Sequence, residues 1–382
     1  MTGEGFVQTF ILGSLPDGTP GAAFALVTAQ DGWDAGRADL RFALEDDRFV
    51  LRRAYPAGTL LSFKVTRGSA QSEEGDAWGQ RRPDRRHEVT GDAVHVLDVQ
   101  SWMDGPSVPR PSSVTGVTWT HALHSPELGD ALTVTVWVPP GYSGGTARFP
   151  VLYLHDGQNV LDRRTAFAGE EWACDEAAHA LALAGLPCLL VAVTVRGEHR
   201  AEDYVPFGME ANGFTSSADA YQAFLAGTLK SFVDATYRTV PDAAHTALAG
   251  SSFGGLASLY GGLSRPGVWG TVGAFSPSLW VRDGGGRDLF GPGEGGRGMV
   301  EWCADHPSPT SRVYVDMGTR EGTTLAWADS LVAHTRHFAD VMAGRVREVQ
   351  LVIAPGDHHD ERAWAARFPG FLRWWLEGLP DA

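Results

Sequence analysis

At 382 residues the chain is long for one domain, so two domains are the first expectation. Its 43% hydrophobic and 20% charged residues are ordinary for a soluble globular protein, and a formal net charge of −15 argues against nucleic acid or anionic membrane as a main partner. Three widely spaced cysteines, Cys174, Cys188 and Cys303, fit neither a disulfide framework nor a zinc site, so buried free thiols are expected.

The opening run "MTGEGFVQTFILGSLPDG" has no basic start, and Gly13 and Pro16 break its apolar stretch, which does not describe a secretory signal. Nowhere do about 18 apolar residues run uninterrupted, so no transmembrane helix is expected and the protein is read as soluble and cytoplasmic. Short, partly alternating runs then follow: "AAFALVTA", "ADLRFAL", "RFVLRRAY", "TLLSFKVTRG" and "AVHVLDV". Separated by Gly, Pro and Asp turns, they predict a small all-β sandwich over residues 1–105. "MDGPSVPRPSSVTG" (103–116) reads as the junction to a second domain, 106–382.

There the rhythm changes. Strand candidates are "LTVTVWVP" (132–139), "FPVLYLHDG" (149–157), "PCLLVAVTV" (187–195), "HTALAGS" (245–251), "TVGAFSP" (271–277), "SRVYVDMG" (311–318) and "EVQLVIAPG" (348–356). Several are apolar almost throughout, as strands buried on both faces should be. Helical patterns lie between them: "EEWACDEAAHALALAG", "ADAYQAFLAGTLKSFVDATY", "FGGLASLYGGL", "LAWADSLVAHTRHFADVM" and "ERAWAARFPGFLRWWLEG". The alternation predicts an α/β domain with a mostly parallel central sheet and helices on both faces. The glycine-rich run 283–298 lacks the G-K-[ST] ending of a phosphate loop and reads as a flexible surface loop.

Gly250-Ser251-Ser252-Phe253-Gly254 matches G-x-S-x-G with Ser252 at the centre. A nucleophile on a sharp strand-to-helix turn needs glycine two residues to either side, because larger side chains would collide there. Ser251 has Phe253 at that position and fits poorly. A serine nucleophile needs a base and an orienting acid, expected in the chain order serine, acid, histidine. His358 and His359 sit in the loop before the last helix, where a base reaches the sheet edge. For the acid, Glu321 on the loop after "RVYVDMG" is favoured over Asp316 within the strand, with Asp357 and Asp360 as outsiders. One oxyanion N–H is expected from Phe253 and the other from the "YLHDGQN" turn, at Gly157 or Gln158.

Residues 115–380 resemble the putative-esterase family of α/β-hydrolases, which includes enterochelin esterases, feruloyl esterases and S-formylglutathione hydrolases. The runs that carry the resemblance are "VLYLHDGQNVLD", "EEWACDEAA", "AGSSFGGLASLYGGLSRPGVWGTVGAFSPSLW", "VYVDMGTREG" and "HDERAWAARFPGFLRWW". It implies Ser252 as nucleophile, Glu321 as acid, and His359 as base, the last because the family places that histidine five residues before a tryptophan, here Trp364. It also implies that Trp280 borders the substrate pocket, and Arg200 and Trp364 join it as expected substrate contacts. The first hundred residues resemble starch- or glycogen-binding sandwiches through "DGW" (31–33) and "FKVTRGSAQSEE" (63–74), but Ala70 stands where such modules often carry tryptophan. Trp33 and Trp78 are large enough to stack on sugar, although packing roles are favoured.

The activity so implied is hydrolysis of small or aromatic esters through an acyl-enzyme, with no metal or organic cofactor. One alternative is a siderophore esterase with a positively lined pocket, for which Arg196, Arg200 and Arg320 are candidates. Another is a non-catalytic carbohydrate-binding protein with an inactive hydrolase domain; the full serine, acid and histidine set argues against it.

Overall fold

The computed structural model describes residues 5–19, 23–207, 215–282 and 298–380, so most of the glycine-rich run, 283–297, lies outside the described residues. The chain divides into two compact units. The first gathers Met1–Ser112, Arg163–Glu170 and Thr319–Ser330, and the second gathers Ser113–Asp162, Glu171–Gly318 and Leu331–Ala382.

The first unit is built from short strands: β1 (Phe6–Leu12), β2 (Ala25–Thr28), β3 (Ala43–Glu45), β4 (Arg48–Tyr55), β5 (Leu60–Thr66), β6 (Glu74–Gly75), β7 (Arg85–Glu88), β8 (Ala93–Leu97) and β9 (Ser101–Trp102). They form sheets ordered β3-β4-β1-β8, β2-β5-β7 and β6-β9. Alternation drives the packing: Gln8, Phe10 and Leu12 of β1 turn inward, and Phe10 meets Phe63 with ring centres 5.2 Å apart. The pattern reading of the opening run misses β1. Residues 103–116 carry no regular structure, yet Arg110 is buried, its Nε donating to Asp76 at 2.7 Å, and Val108 N–H donates to the Trp78 carbonyl at 2.9 Å. The stretch is therefore fastened to the 76–81 turns rather than loose.

The second unit contains β10 (Val117–Ser125), β11 (Asp130–Val138), β12 (Val151–Leu154), β13 (Leu189–Val193), β14 (Thr246–Ser251), β15 (Thr271–Phe275), β16 (Ser308–Gly318) and β17 (Val346–Ala354). Their order is β10-β11-β13-β12-β14-β15-β16-β17, parallel from β13 onward and antiparallel at β10 and β11. This is an α/β-hydrolase sheet. β10 escapes the sequence reading because it is a largely solvated edge strand.

The helices are α1 (Cys174–Leu183), α2 (Arg200–Tyr204), α3 (Ala218–Phe224), α4 (Lys230–Thr236), α5 (Phe253–Ser264), α6 (Met299–Ala304), α7 (Leu325–Met342) and α8 (Glu361–Glu377). The sequence merges α3 and α4; a π-helical turn at Leu225–Leu229 separates them. Strand alternation feeds two layers. Leu152, Leu154, Leu190 and Ala192 pack with α1 and α8, whereas Val151, Tyr153, Leu189 and Val191 pack with α3 and α4. Both faces are covered, which is why these strands are apolar throughout. All three cysteines are buried and unbridged, and burial pushes their thiols up. Among the described residues no helix is long and apolar enough to cross a membrane.

Candidate active site

β14 is buried along its whole length and ends at Ser251, which is 5% exposed and pairs with Phe275 of β15. The next residue, Ser252, has φ +56° and ψ −120°, and α5 begins immediately after it. A non-glycine residue held there costs about 1–3 kcal/mol, so its surroundings must enforce the bend. They do so with hydrogen bonds: Ser252 N–H donates to the Phe275 carbonyl at 2.9 Å, while its own carbonyl accepts from Leu256 at 3.1 Å and Ser278 at 3.2 Å. The flanking glycines have steric causes. A Cβ on Gly250 would lie 2.9 Å from both the Gly254 backbone and the His155 Cβ, and one on Gly254 would lie 3.2 Å from that same His155 atom. The Ser252 hydroxyl itself is half-buried, 3.5 Å from the Ser278 hydroxyl.

The turn after β12 is equally constrained. Asp156 adopts the left-handed conformation, φ +51°, and opens a short 3₁₀ turn at Gly157–Asn159. Only glycine fits at 157, where a Cβ would sit 2.6 Å from the Ala192 and Val193 backbone. Gln158 accepts from Val195 N–H at 3.2 Å, and Asp156 N–H donates to the Tyr204 hydroxyl at 3.0 Å. Arg200 grips the Asp156 carboxylate with Nε and Nη2, both at 2.8 Å. Burial opposes the guanidinium's charge, but Asp156 outweighs it and holds Arg200 above its ordinary range. The same guanidinium lies 5.6 Å from the Phe253 ring centre, and Trp280 approaches that ring at 6.1 Å. Ser252, Phe253, Trp280, Arg200 and the 156–158 turn thus form one neighbourhood at the C-terminal ends of the strands, where ligands bind in sheets of this kind.

His359 is exposed on the loop between β17 and α8, its ring 5.0 Å from and nearly perpendicular to Trp364. Trp364, an expected substrate contact, is 5% exposed and donates from Nε1 to the Ser276 hydroxyl at 3.0 Å. Ser276 follows Phe275, whose carbonyl holds Ser252, so two short links connect the histidine's support to the elbow. Asp316 is wholly buried: it accepts from Ser276 N–H at 2.8 Å and the Tyr314 hydroxyl at 3.0 Å, and it pairs with Arg367 at 3.1 Å. Asp357 also faces Arg367, at 3.4 Å, and Asp360 caps α8 by accepting from Ala363 N–H at 2.8 Å. Glu321 lies on the loop past β16 and is 1% exposed.

His155 and Tyr204, buried beneath the elbow, were missed by the sequence reading. His155 bonds the Tyr221 hydroxyl through Nδ1 at 2.9 Å, and burial pushes its imidazole down to about 3. Nothing in the spacing of "HDG" distinguishes this histidine from a solvated one. Among the described residues one acidic group, Glu171, Asp175 and Glu176, brings its ligand atoms within 4.8 Å of one another. Burial, with help from Glu176 and against the bond from Thr115 N–H, pushes the Asp175 carboxyl up to about 8. In the first unit Trp33 is 38% exposed with the Lys64 ammonium 5.9 Å from its ring, and Trp78 is half-buried in a turn.

Residues 125–375, well over half the chain, match the family described as Putative esterase. The chain belongs to that esterase family. A Bacillus subtilis (strain 168) protein, YbbA, described as uncharacterized, is 23% identical over 193 residues, covering 49% of this chain and 68% of YbbA. Among solved structures, the enterobactin esterase FES from Shigella flexneri, in the presence of enterobactin, is similar with a TM-score of 0.58 at 16% identity, covering 99% of this chain and 94% of FES. An IroE-like serine hydrolase from Shewanella oneidensis gives 0.53 at 17% identity over 69% of this chain and 82% of its own. A ferulic acid esterase gives 0.50 at 18% identity, over 68% and 98% respectively. At these identities the structural likeness speaks to fold, and the esterase family membership makes the chain a hydrolase of esters.

Proposed function

We propose that the protein hydrolyses small or aromatic carboxylic esters through an acyl-enzyme formed on Ser252. The observation that carries this reading is the bend itself: a serine at φ +56° between a buried strand and a helix start, with both flanking glycines demanded by contact. Residues held in so sparsely populated a conformation cluster at active sites, and this one stands where a strand-to-helix elbow presents its nucleophile. His359 takes the Ser252 proton as Oγ attacks the ester carbonyl, and Glu321 stabilises the imidazolium. The N–H of Phe253, with that of Gly157 or Gln158, receives the oxyanion. The protonated histidine then releases the alcohol, and water repeats the sequence on the acyl-enzyme.

Glu321 is preferred for its place on the loop past the end of β16, where the acid of such a triad is expected, whereas Asp316 lies within the strand and Asp360 caps α8. Trp364 is assigned to supporting His359, since its buried ring has little surface left for a substrate. Trp280 and Phe253 offer aromatic walls. The siderophore alternative called for a cationic lining, but each candidate arginine already faces a carboxylate: Arg196 with Asp203, Arg200 with Asp156, and Arg320 with Glu88. That neutralisation favours an uncharged ester.

The decisive measurement is covalent labelling by a fluorophosphonate probe together with p-nitrophenyl acetate turnover. Wild type should label and turn over, and Ser252→Ala should do neither. An unlabelled wild type would leave the non-catalytic reading standing. Turnover of a catecholate siderophore well above that of aryl acetates would instead select the siderophore alternative.

A further inference from the structure

Each half of the proposed oxyanion site sits on a different element, the turn after β12 and the first turn of α5. Something must fix their separation, because a hydrogen-bond donor displaced by an ångström loses most of its value in the transition state. The Asp156 carboxylate lies beside both. It lies one residue before the turn, and its Oδ2 is 3.3 Å from where a Gly254 Cβ would stand, on the first turn of α5. Gln158, within the turn, donates to its Oδ1 at 3.3 Å. The bidentate guanidinium of Arg200 fixes the carboxylate from a third element, α2, and lies 5.3 Å from the Tyr204 ring and 5.6 Å from the Phe253 ring. Tyr204 in turn accepts the Asp156 N–H and thereby holds the left-handed backbone.

We infer that Asp156 and Arg200 are a positioning pair that sets the geometry between the turn donor and the Phe253 donor, rather than a structural ion pair or a substrate anchor. The inference rests on the ester-hydrolysis reading above. A pair of this kind acts on the tetrahedral state and leaves the ground state nearly alone.

The test uses the full chain and two changes: Asp156→Asn, which keeps shape and removes charge, and Arg200→Lys, which keeps charge and removes the fork. Each variant should lower kcat for p-nitrophenyl acetate by about 10- to 100-fold with KM changed by less than about threefold. The inhibition constant of an aryl trifluoromethyl ketone, which traps the tetrahedral oxyanion on serine, should rise by the same factor as kcat/KM falls. A purely structural pair would lower the melting temperature without that proportionality. Folded variants with kcat and inhibition constant within about twofold of wild type overturn the inference, as does a fall in kcat with unchanged ketone affinity. If Asp156→Asn does not fold, Arg200→Lys decides; if neither folds, the pair belongs to stability and the inference fails. Loss of fluorophosphonate labelling in the wild type would sink the ester reading instead, so the two failures are distinguishable.

Discussion

Two adjacent serines differ by one position and by nearly everything physical. Ser251 ends a buried strand, 5% exposed, with its backbone in the β14–β15 ladder; Ser252 stands at the bend. Ser251→Ala should therefore change p-nitrophenyl acetate turnover by less than about threefold, whereas Ser252→Ala should remove it to the limit of detection. The reverse result would place the nucleophile on the wrong serine. His155 makes a different prediction, about pH. Its imidazole is held neutral down to about 3, below the ordinary 6.5, so below 6.5 the unfolded chain binds a proton that the folded chain refuses. Stability then falls as pH drops from 6.5 toward 3, by an amount on the order of several kcal/mol, and is unaffected by this group above that window. Urea midpoints measured across pH 7 to 4 should decline less steeply in His155→Asn than in wild type. Parallel slopes would show that His155 is not the responsible group. Of the proposed site's residues, Ser252 was legible because the bend leaves its glycines two residues to either side in the sequence, even though the atoms that demand them include His155 of a distant segment. His155, Asp156 and Tyr204 were not, because their roles arise from contacts between β12, α2 and α5 that no local pattern records.

At the scale of elements, α5 shows what the sequence wrote openly. "FGGLASLYGGL" carries two glycine pairs seven residues apart, two helical turns, and so on one face. That face approaches its neighbours closely: a Cβ on Gly255 would come 3.2 Å from the Phe275 carbonyl, on Gly261 2.0 Å from Gln222, and on Gly262 2.1 Å from Val272 Cγ2. Gly262→Ala should destabilise the protein by about 1–3 kcal/mol, since the helix-propensity gain of roughly 1 kcal/mol cannot offset overlap with a β-branched side chain on a fixed strand. Gly267→Ala, with nothing near its would-be Cβ, is the matched control and should be close to neutral. Equal melting temperatures for the two variants would contradict the close packing of α5. The parallel strands were equally plain, being apolar on both faces. β1 and β10 were not: one is a seven-residue run next to the chain's start with only a short alternating pattern, and the other is an edge strand whose alternation is diluted by solvent.

The whole molecule assigns the loop that carries Glu321 to the first compact unit, although the preceding strand β16 lies in the second. The loop is held there by backbone bonds: Leu60 N–H donates to Thr323 at 2.9 Å, and Leu325 N–H donates to Gly58 at 2.8 Å. Arg320 adds a bond to Glu88 at 2.7 Å. These contacts bear on what the β-rich region is for. If it were an accessory sugar binder, deleting residues 1–112 would leave aryl ester turnover intact, because Ser252, Glu321 and His359 all remain in the chain. The bonds predict otherwise. Without β5, the Gly58 turn and Glu88, the 319–325 loop that carries Glu321 loses the partners that define its path. With Glu321 as the proposed acid, turnover by the truncated chain should fall by about 10²- to 10⁴-fold, the range over which a misplaced or missing acid impairs a serine hydrolase. Fluorophosphonate labelling should slow in step while the remaining sheet still melts cooperatively. A folded truncation that retained wild-type turnover would separate the first unit from catalysis and return it to the class of binding modules.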